Sequence, residues 1–194
     1  MNMDSIQNST VYPVILAVPE QGRCLRGRDR VKYLSEYARY ALELSAEKSR
    51  IHIGDLLKDK NGAPLPFNGK YWSLAHKPEY VAGVVAPARI GIDLEEIRPC
   101  SEALFKKIAD ENEWGLTVAG SINSFFRYWT SKEAVLKATG TGLKGLSRCR
   151  IKRVLNDNHL IINYLDQEWA IEHIYFDRHI ASVVKNMFNI KWTL

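Results

Sequence analysis

Two acidic residues alternate with apolar residues on a short segment near the middle of the chain. The segment reads Gly91-Ile92-Asp93-Leu94-Glu95, and successive side chains of a β-strand point to opposite faces. Asp93 and Glu95 would therefore share one face, where two carboxylates repel each other unless a cation lies between them. Mg²⁺ prefers carboxylate oxygens and water. The segment indicates either a divalent-cation site or an acidic strand face in solvent.

A third carboxylate lies on a predicted helix. Apolar residues recur at helical spacing from Ile122 to Leu136, and Glu133 occupies a position on this apolar stripe. A carboxylate there is costly unless it is paired or bound to a metal. Lys137 follows four residues later and shares the face of Glu133. The two residues form either a surface ion pair or part of a charged site.

A histidine and a lysine end an apolar segment. The residues Leu74-Ala75-His76-Lys77 close a run that is typical of a strand. Both His76 and Lys77 carry groups that can contact phosphate, and the alternative is a partly exposed structural histidine.

The bulk composition restricts the class of protein. The chain has 194 residues, 46% of them hydrophobic, and a net charge of +5. This balance is ordinary for a globular protein and favours acidic partners such as phosphate-rich ligands or acidic proteins. Three cysteines without CxxC spacing favour reduced thiols. With no long apolar segment and no basic N-terminal region, we expect a cytoplasmic protein that binds neither membrane nor nucleic acid.

The elements that must position these residues predict an α+β fold. We predict helices over residues 28–44, 101–112 and 121–139. We predict strands over residues 14–18, 70–76, 80–86, 89–96, 150–155, 159–164, 169–175 and 179–184, with those at 80–86 and 89–96 forming a hairpin. We expect two similar halves in a pseudo-dimer, residues 1–98 and 99–194, each with a small antiparallel sheet and a packed helix.

The order and spacing of the motifs resemble a known family. The Asp93 segment, followed by Trp129-Thr130-Ser131-Lys132-Glu133 and Lys137, is similar to the paired signature of the 4′-phosphopantetheinyl transferases, (V/I)G(V/I)DxE and (F/W)xxKE(A/S)xxK. Leu74-Ala75-His76 and the Gly140-Thr141-Gly142-Leu143 tail also resemble this family. The length and the two halves resemble its surfactin-type, single-chain members more than the shorter trimeric synthases.

The resemblance implies an enzyme of the holo-[acyl-carrier-protein] synthase type. Such an enzyme would transfer the 4′-phosphopantetheine group of coenzyme A to a serine of an acidic apo-carrier protein, with Mg²⁺, releasing 3′,5′-ADP, and would act as a monomer. The resemblance also implies the site residues, at the seam between the halves: Asp93, Glu95 and Glu133 for the metal; Glu133 and Lys137 for catalysis; His76, Arg39, Lys132 and Lys137 for coenzyme A; Arg26 or Arg30 beside Arg39; and a minor role for Glu113.

Two positions depart from the family pattern. Ala75 stands where many members have a serine before the histidine, and Ala63 stands where many have a loop lysine. Lys77 is a candidate substitute for the serine, and Lys58 or Lys60 for the loop lysine. The departures keep open an alternative, a non-catalytic relative that binds carrier proteins.

Overall fold

The chain folds into antiparallel sheets, each covered by a long helix. The computed structural model describes residues 9–117 and 121–194, so residues 1–8 of the predicted N-terminal half lie outside the described residues. The strands are β1 Thr10–Val11, β2 Val14–Ala17, β3 Tyr71–His76, β4 Tyr80–Ala86, β5 Ile92–Glu96, β6 Arg150–Asn156, β7 His159–Tyr164, β8 Gln167–Phe176, β9 His179–Val184 and β10 Asn189–Ile190. The helices are α1 Glu20–Cys24, α2 Gly27–Ser49, α3 Glu102–Ile108, α4 Glu111–Trp114 and α5 Ile122–Thr139. The predicted α+β class is confirmed.

The first sheet has the order β2-β4-β3 and packs against α2. Gly83 of β4 permits a close approach, because a Cβ atom there would lie 2.4 Å from the backbone nitrogen of Leu42. Helix α2 extends beyond the predicted residue 44 to Ser49. Its last turns are held because Ala46 packs with Trp72 and Val85 in a buried cluster.

The second sheet has the order β5-β9-β8-β7-β6, and α5 packs on it. Gly91, just before β5, lies directly against α5, since a Cβ atom at this position would lie 1.9 Å from the carbonyl oxygen of Ala134. Helix α5 ends at Gly140, which has φ 69° in the left-handed region and donates its N–H to the last turn. The glycines after the helix therefore stop it as the sequence predicts.

Strands β4 and β5 do not form the predicted hairpin. Strand β4 pairs with β2 and β3, so both of its edges are occupied, and β5 pairs with β9 instead. The predicted boundary at residues 98 and 99 thus differs from the sheet topology, because β5 belongs with the C-terminal sheet. The predicted helix over residues 101–112 is also interrupted, since Ala109 is extended and the side chain of Asp110 caps α4.

The two sheets meet along β3 and β5. The backbone N–H of Ile92 donates to the hydroxyl of Ser73 at 3.1 Å, which links the start of β5 to the middle of β3. A parallel pair of β1 with β10 adds a second connection between the halves. Residues from both halves therefore line the space at this seam.

Candidate functional site

A cavity of about 350 Å³ opens at the seam between the two sheets. It combines carboxylates with basic side chains from both halves. Its lining residues are Lys58, Gly62, Pro64, Trp72, Ser73, Leu74, Ala75, His76, Lys77, Asp93, Glu133 and Lys137. The structure thus brings together four of the predicted site residues: His76, Asp93, Glu133 and Lys137.

Asp93 is held on β5 with one oxygen paired and one oxygen free. Its side chain is buried, and Oδ1 accepts a hydrogen bond from Lys137 Nζ at 2.8 Å. Oδ2 is buried and has no hydrogen-bond partner among the described residues. The close contact of Gly91 with α5 brings Asp93 near the helix that carries Lys137. A buried carboxylate oxygen without a partner is costly and is suited to a cation.

Lys137 is fixed by three acceptors on two different strands. Its Nζ atom donates to the carbonyl oxygens of Leu74 at 3.2 Å and Ile92 at 3.0 Å, besides Asp93. An ammonium group has three donors, and all of them are used here. Lys137 therefore connects α5 with β3 and β5 while its charge faces the cavity.

Glu95 lies two residues beyond Asp93 and is held by two donors. Its Oε1 atom is 2.8 Å from Lys77 Nζ and accepts from Trp129 Nε1 at 2.9 Å. Burial and the negative charge of Asp93 raise the pKa of Glu95. Trp129, which begins the second motif of the family signature, thus orients this carboxylate.

Glu133 is the least constrained of the three carboxylates. It makes no hydrogen bond or ion pair with residues in the part of the chain that the structure describes. Burial, and then the negative charge of Asp93, raise the pKa of Glu133 to about 7. The pKa stays raised although the positive charges of Lys137 and Lys77 lower it.

The chemistry of these donors fits a hard divalent cation. Asp93 Oδ2 and the carboxylate of Glu133 have no hydrogen-bond partner among the residues that the structure describes, and Mg²⁺ prefers carboxylate oxygens. The side chains are not arranged as a closed ligand set, however, since no group of three or more His, Cys, Asp or Glu within residues 9–117 and 121–194 is placed to hold a metal ion. In this arrangement lysines pair with Asp93 and Glu95.

Basic side chains line the cavity together with the carboxylates. Burial lowers the pKa of His76, and the positive charges of Lys137, Lys77 and Lys58 lower it further. Lys58 lines the cavity, whereas Lys60 does not. Of the two candidates for the absent loop lysine, the structure therefore places Lys58 at the site.

Lys132 does not lie at the cavity, contrary to the sequence-based expectation. Its Nζ atom is buried on another side of α5, where it pairs with Glu113 Oε1 at 2.6 Å and donates to the carbonyl oxygen of Ile108 at 2.6 Å. One residue along a helix turns the side chain by about 100°, which separates Lys132 from Glu133. The structure therefore does not bring Lys132 to the cavity, and its contact with coenzyme A stays a prediction.

Glu113 also has a structural position. Its carboxylate accepts from Lys132, Arg150 and the backbone N–H groups of Ile151 and Asp110. All four donors belong to the protein, so the carboxylate ties α4 to α5 and β6.

Arg39 lies in a separate groove of about 750 Å³ on α2. The groove also contains Arg28 and Lys32. Among the described residues it shares no lining residue with the seam cavity. Arg30 donates to the carbonyl oxygen of Leu25 at 2.6 Å. The role of Arg39 and its basic neighbours remains a prediction.

A larger cleft of about 860 Å³ continues from the seam cavity and shares Gly62, Pro64 and Lys137 with it. Its other wall is the 3₁₀ helix Gly142–Arg148 that follows α5. Lys144 and Arg148 add basic charge there. Sequence reasoning missed these two residues, because a single charge in a glycine-rich segment carries no periodic signal.

Comparison with known proteins points to one family. The model of the 4′-phosphopantetheinyl transferase superfamily matches residues 89–184, which include Asp93, Glu95, Glu133 and Lys137. The chain is 38% identical over 82 residues to the 4′-phosphopantetheinyl transferase psf-1 of Bacillus pumilus, covering 40% of this chain and 35% of the relative. It is 40% identical over 91 residues to the 4′-phosphopantetheinyl transferase HetI of Nostoc sp., covering 43% and 38%. It is 30% identical over 90 residues to the 4′-phosphopantetheinyl transferase gsp of Aneurinibacillus migulanus, covering 44% and 38%.

The matched residues 89–184 include strand β5 and helix α5, which carry the carboxylates of the seam cavity. The chain belongs to the 4′-phosphopantetheinyl transferase superfamily. The family predicted from the sequence is confirmed, and the surfactin-type, single-chain form fits these relatives. The matched segments cover little more than a third of the length of each of the three relatives. Among the helices in residues 9–117 and 121–194, none has the length and apolar character to cross a membrane.

Proposed function

We propose that this protein transfers the 4′-phosphopantetheine group of coenzyme A to a serine of an apo-carrier protein, with Mg²⁺, and releases 3′,5′-ADP. The observation that carries the proposal is the seam cavity, in which Asp93 and Glu133 face His76, Lys58 and Lys137. The free Oδ2 atom of Asp93 and the carboxylate of Glu133, neither of which has a hydrogen-bond partner among the described residues, lie beside several cationic groups. This combination suits a divalent cation together with the diphosphate of coenzyme A. The activity is of the holo-[acyl-carrier-protein] synthase type.

The metal would be held by Asp93 and Glu133, together with Glu95. When bound, Mg²⁺ supplies charge neutralisation on the diphosphate and orients the phosphorus. Asp93 Oδ2, which is buried and unpaired within the described residues, supports this assignment. The carboxylate of Glu133 has no competing ion pair among those residues, which leaves it able to turn toward a ligand.

The basic residues would stabilise negative charge on the leaving group. The ammonium group of Lys137 is held in place by two backbone carbonyl oxygens, and fixed charge of this kind needs no reorganisation during the reaction. His76 and Lys58 line the same cavity and would contact phosphate oxygens. Neither Ala75 nor Ala63 supplies a polar side chain, and Lys58 is the group that replaces the absent loop lysine.

Glu133 is the proposed base for the carrier serine. In the metal-free protein, burial and the charge of Asp93 raise its pKa to about 7, although Lys137 and Lys77 lower it. A bound Mg²⁺ would favour the ionised carboxylate, which is the form that accepts a proton. Glu133 would accept the proton of the serine hydroxyl as the oxygen attacks phosphorus.

The proposed partner is an acidic carrier protein, and the proposed active form is a cytoplasmic monomer. The net charge of +5 favours electrostatic steering of an acidic partner. One chain supplies His76 from the first sheet and Asp93 from the second, which supports a monomer. Free cysteines, including the exposed Cys24, are typical of a reducing compartment.

The test is the intact mass of several apo-carrier proteins after incubation with the protein, coenzyme A and Mg²⁺. We expect conversion to the holo form, and its loss with a chelator and in Asp93→Asn and Glu133→Gln. Glu47→Gln, at an exposed glutamate of α2, is the matched control and should convert carriers normally. A protein that binds no coenzyme A and converts no carrier would refute the proposal. Coenzyme A binding without conversion of any carrier would favour the non-catalytic relative.

A further inference from the structure

Two lysines pair with the two carboxylates of β5, but they are held very differently. Lys137 pairs with Asp93 and is also fixed by the carbonyl oxygens of Leu74 and Ile92. Lys77 pairs with Glu95 at 2.8 Å, and its ammonium group makes no other ion pair or hydrogen bond with the described residues. Lys137 is therefore a fixed charge, whereas Lys77 can leave by giving up one ion pair.

Lys77 is close to both the basic and the acidic side chains of the cavity. It lines the cavity beside His76, so its ammonium group is close to the cationic side. Its partner Glu95 belongs to the acidic side, and a third of the Lys77 side chain is exposed. A long lysine side chain with three rotatable donors can reach different acceptors without movement of the backbone.

Glu95 keeps a second donor when Lys77 leaves. The indole N–H of Trp129 donates to the same Oε1 atom at 2.9 Å. The other oxygen of Glu95 has no hydrogen bond with a residue that the structure describes. The carboxylate thus remains oriented, and it needs a new positive charge to replace that of Lys77.

We propose that Lys77 exchanges partners: it pairs with Glu95 in the metal-free protein and with a phosphate oxygen of coenzyme A once a divalent cation is bound. The inference rests on the proposed function. A cation bound to Glu95 releases Lys77, which can then pair with the diphosphate. Conversely, a diphosphate paired with Lys77 leaves Glu95 free for the cation. Each ligand therefore favours binding of the other. Cation and coenzyme A then bind cooperatively, and by linkage the factor is the same in both directions.

The experiment measures this coupling directly, without reliance on turnover. Coenzyme A binding is measured by calorimetry in chelator and in saturating Mg²⁺, and Mn²⁺ binding is measured by the paramagnetic resonance signal of free Mn²⁺, with and without coenzyme A. For the wild type we expect coenzyme A to bind about tenfold more tightly with the cation, within the usual range of coupling. Mn²⁺ affinity should rise by the same factor when coenzyme A is present.

The variant Lys77→Met removes the exchanging charge. Mn²⁺ alone should then bind several-fold more tightly, because nothing competes for Glu95. The coupling should fall below the wild-type value, to the part that direct attraction between the cation and the diphosphate supplies. Lys60→Met, at an exposed lysine outside the cavity, should retain the wild-type coupling. Lys77→Gln serves if the methionine variant does not fold, and it should change both quantities in the same direction.

The outcomes separate this inference from the proposed function. Unchanged coupling and unchanged Mn²⁺ affinity in the Lys77 variants, with a wild type that binds both ligands, would overturn the exchange and leave the transferase function intact. A wild type that binds neither ligand would instead overturn the proposed function.

Discussion

The contact between Gly91 and α5 gives the sharpest test of how the fold positions the site. In Gly91→Ala the new Cβ atom would lie 1.9 Å from the carbonyl oxygen of Ala134 and 2.8 Å from the backbone nitrogen of Ala138. Both are backbone atoms of a helix, so the clash is relieved only when β5 and α5 move apart. Overpacking of this kind costs about 1–3 kcal/mol and occasionally more, and we expect a value near 3 kcal/mol.

Moving β5 and α5 apart changes the cavity as well as the stability of the folded protein. Asp93 lies on β5 and its partner Lys137 lies on α5, so the 2.8 Å contact between them lengthens. The melting temperature should fall by roughly 6–12 °C, and coenzyme A affinity should fall by about tenfold or more. Urea unfolding and calorimetry at a temperature where the variant is fully folded measure the two effects separately.

Gly83→Ala is the matched control for this prediction. Its Cβ atom would lie 2.4 Å from the backbone nitrogen of Leu42, so it strains the contact of α2 with β4 in the first sheet. It should lower the melting temperature by a similar amount and leave coenzyme A affinity within about twofold of the wild type. The reasoning is refuted if Gly91→Ala keeps wild-type stability and affinity, or if Gly83→Ala loses as much affinity.

Three further predictions concern buried groups outside the cavity. Glu113→Ala should cost about 3–5 kcal/mol in urea unfolding, because it leaves the buried Lys132 ammonium without its partner; a loss below about 1 kcal/mol would contradict this. His173 is buried and its pKa is well below the usual value, so the unfolded chain takes up a proton near pH 6.5 that the folded protein does not. Stability should therefore fall by up to about 1.4 kcal/mol per pH unit below pH 6.5, and unfolding of His173→Asn between pH 7.5 and 5 should show a shallower fall. Burial raises the pKa of the Cys149 thiol to about 12. In a thiol-labelling time course at pH 8, the exposed Cys24 should therefore react first and Cys149 only after unfolding. Early labelling of Cys149 would argue against its buried position.

The sequence predicts local elements well because their signals are local. The bounds of β7 and β9 match the alternation of side chains, and the end of α5 matches Gly140. The pairing of β5 could not be predicted in this way, since its partner β9 lies far along the chain. The strand propensity of a segment does not show which edge of which sheet is free to pair with it.

The site shows the same division between local and distant signals. Glu133 and Lys137 could be identified because four residues return to one helix face. Lys132 was assigned to the site from the family resemblance, and its burial against Glu113 depends on how α4 packs on α5, which has no local signal. Neither the position of Lys58 nor the contact of Trp129 with Glu95 has a local signal, because each depends on how the two sheets meet.

Because of the position of Lys137, the cavity opens only when the two sheets also separate. Its ammonium group belongs to α5 and is bound by carbonyl oxygens of β3 and β5, while the amide of Ile92 donates across the seam to Ser73. Any motion that separates the two sheets breaks these hydrogen bonds. We therefore expect the cavity to be lost in one cooperative unfolding step. Hydrogen exchange at the Ile92 amide would then report the integrity of the cavity, and a ligand bound there would slow exchange in both sheets.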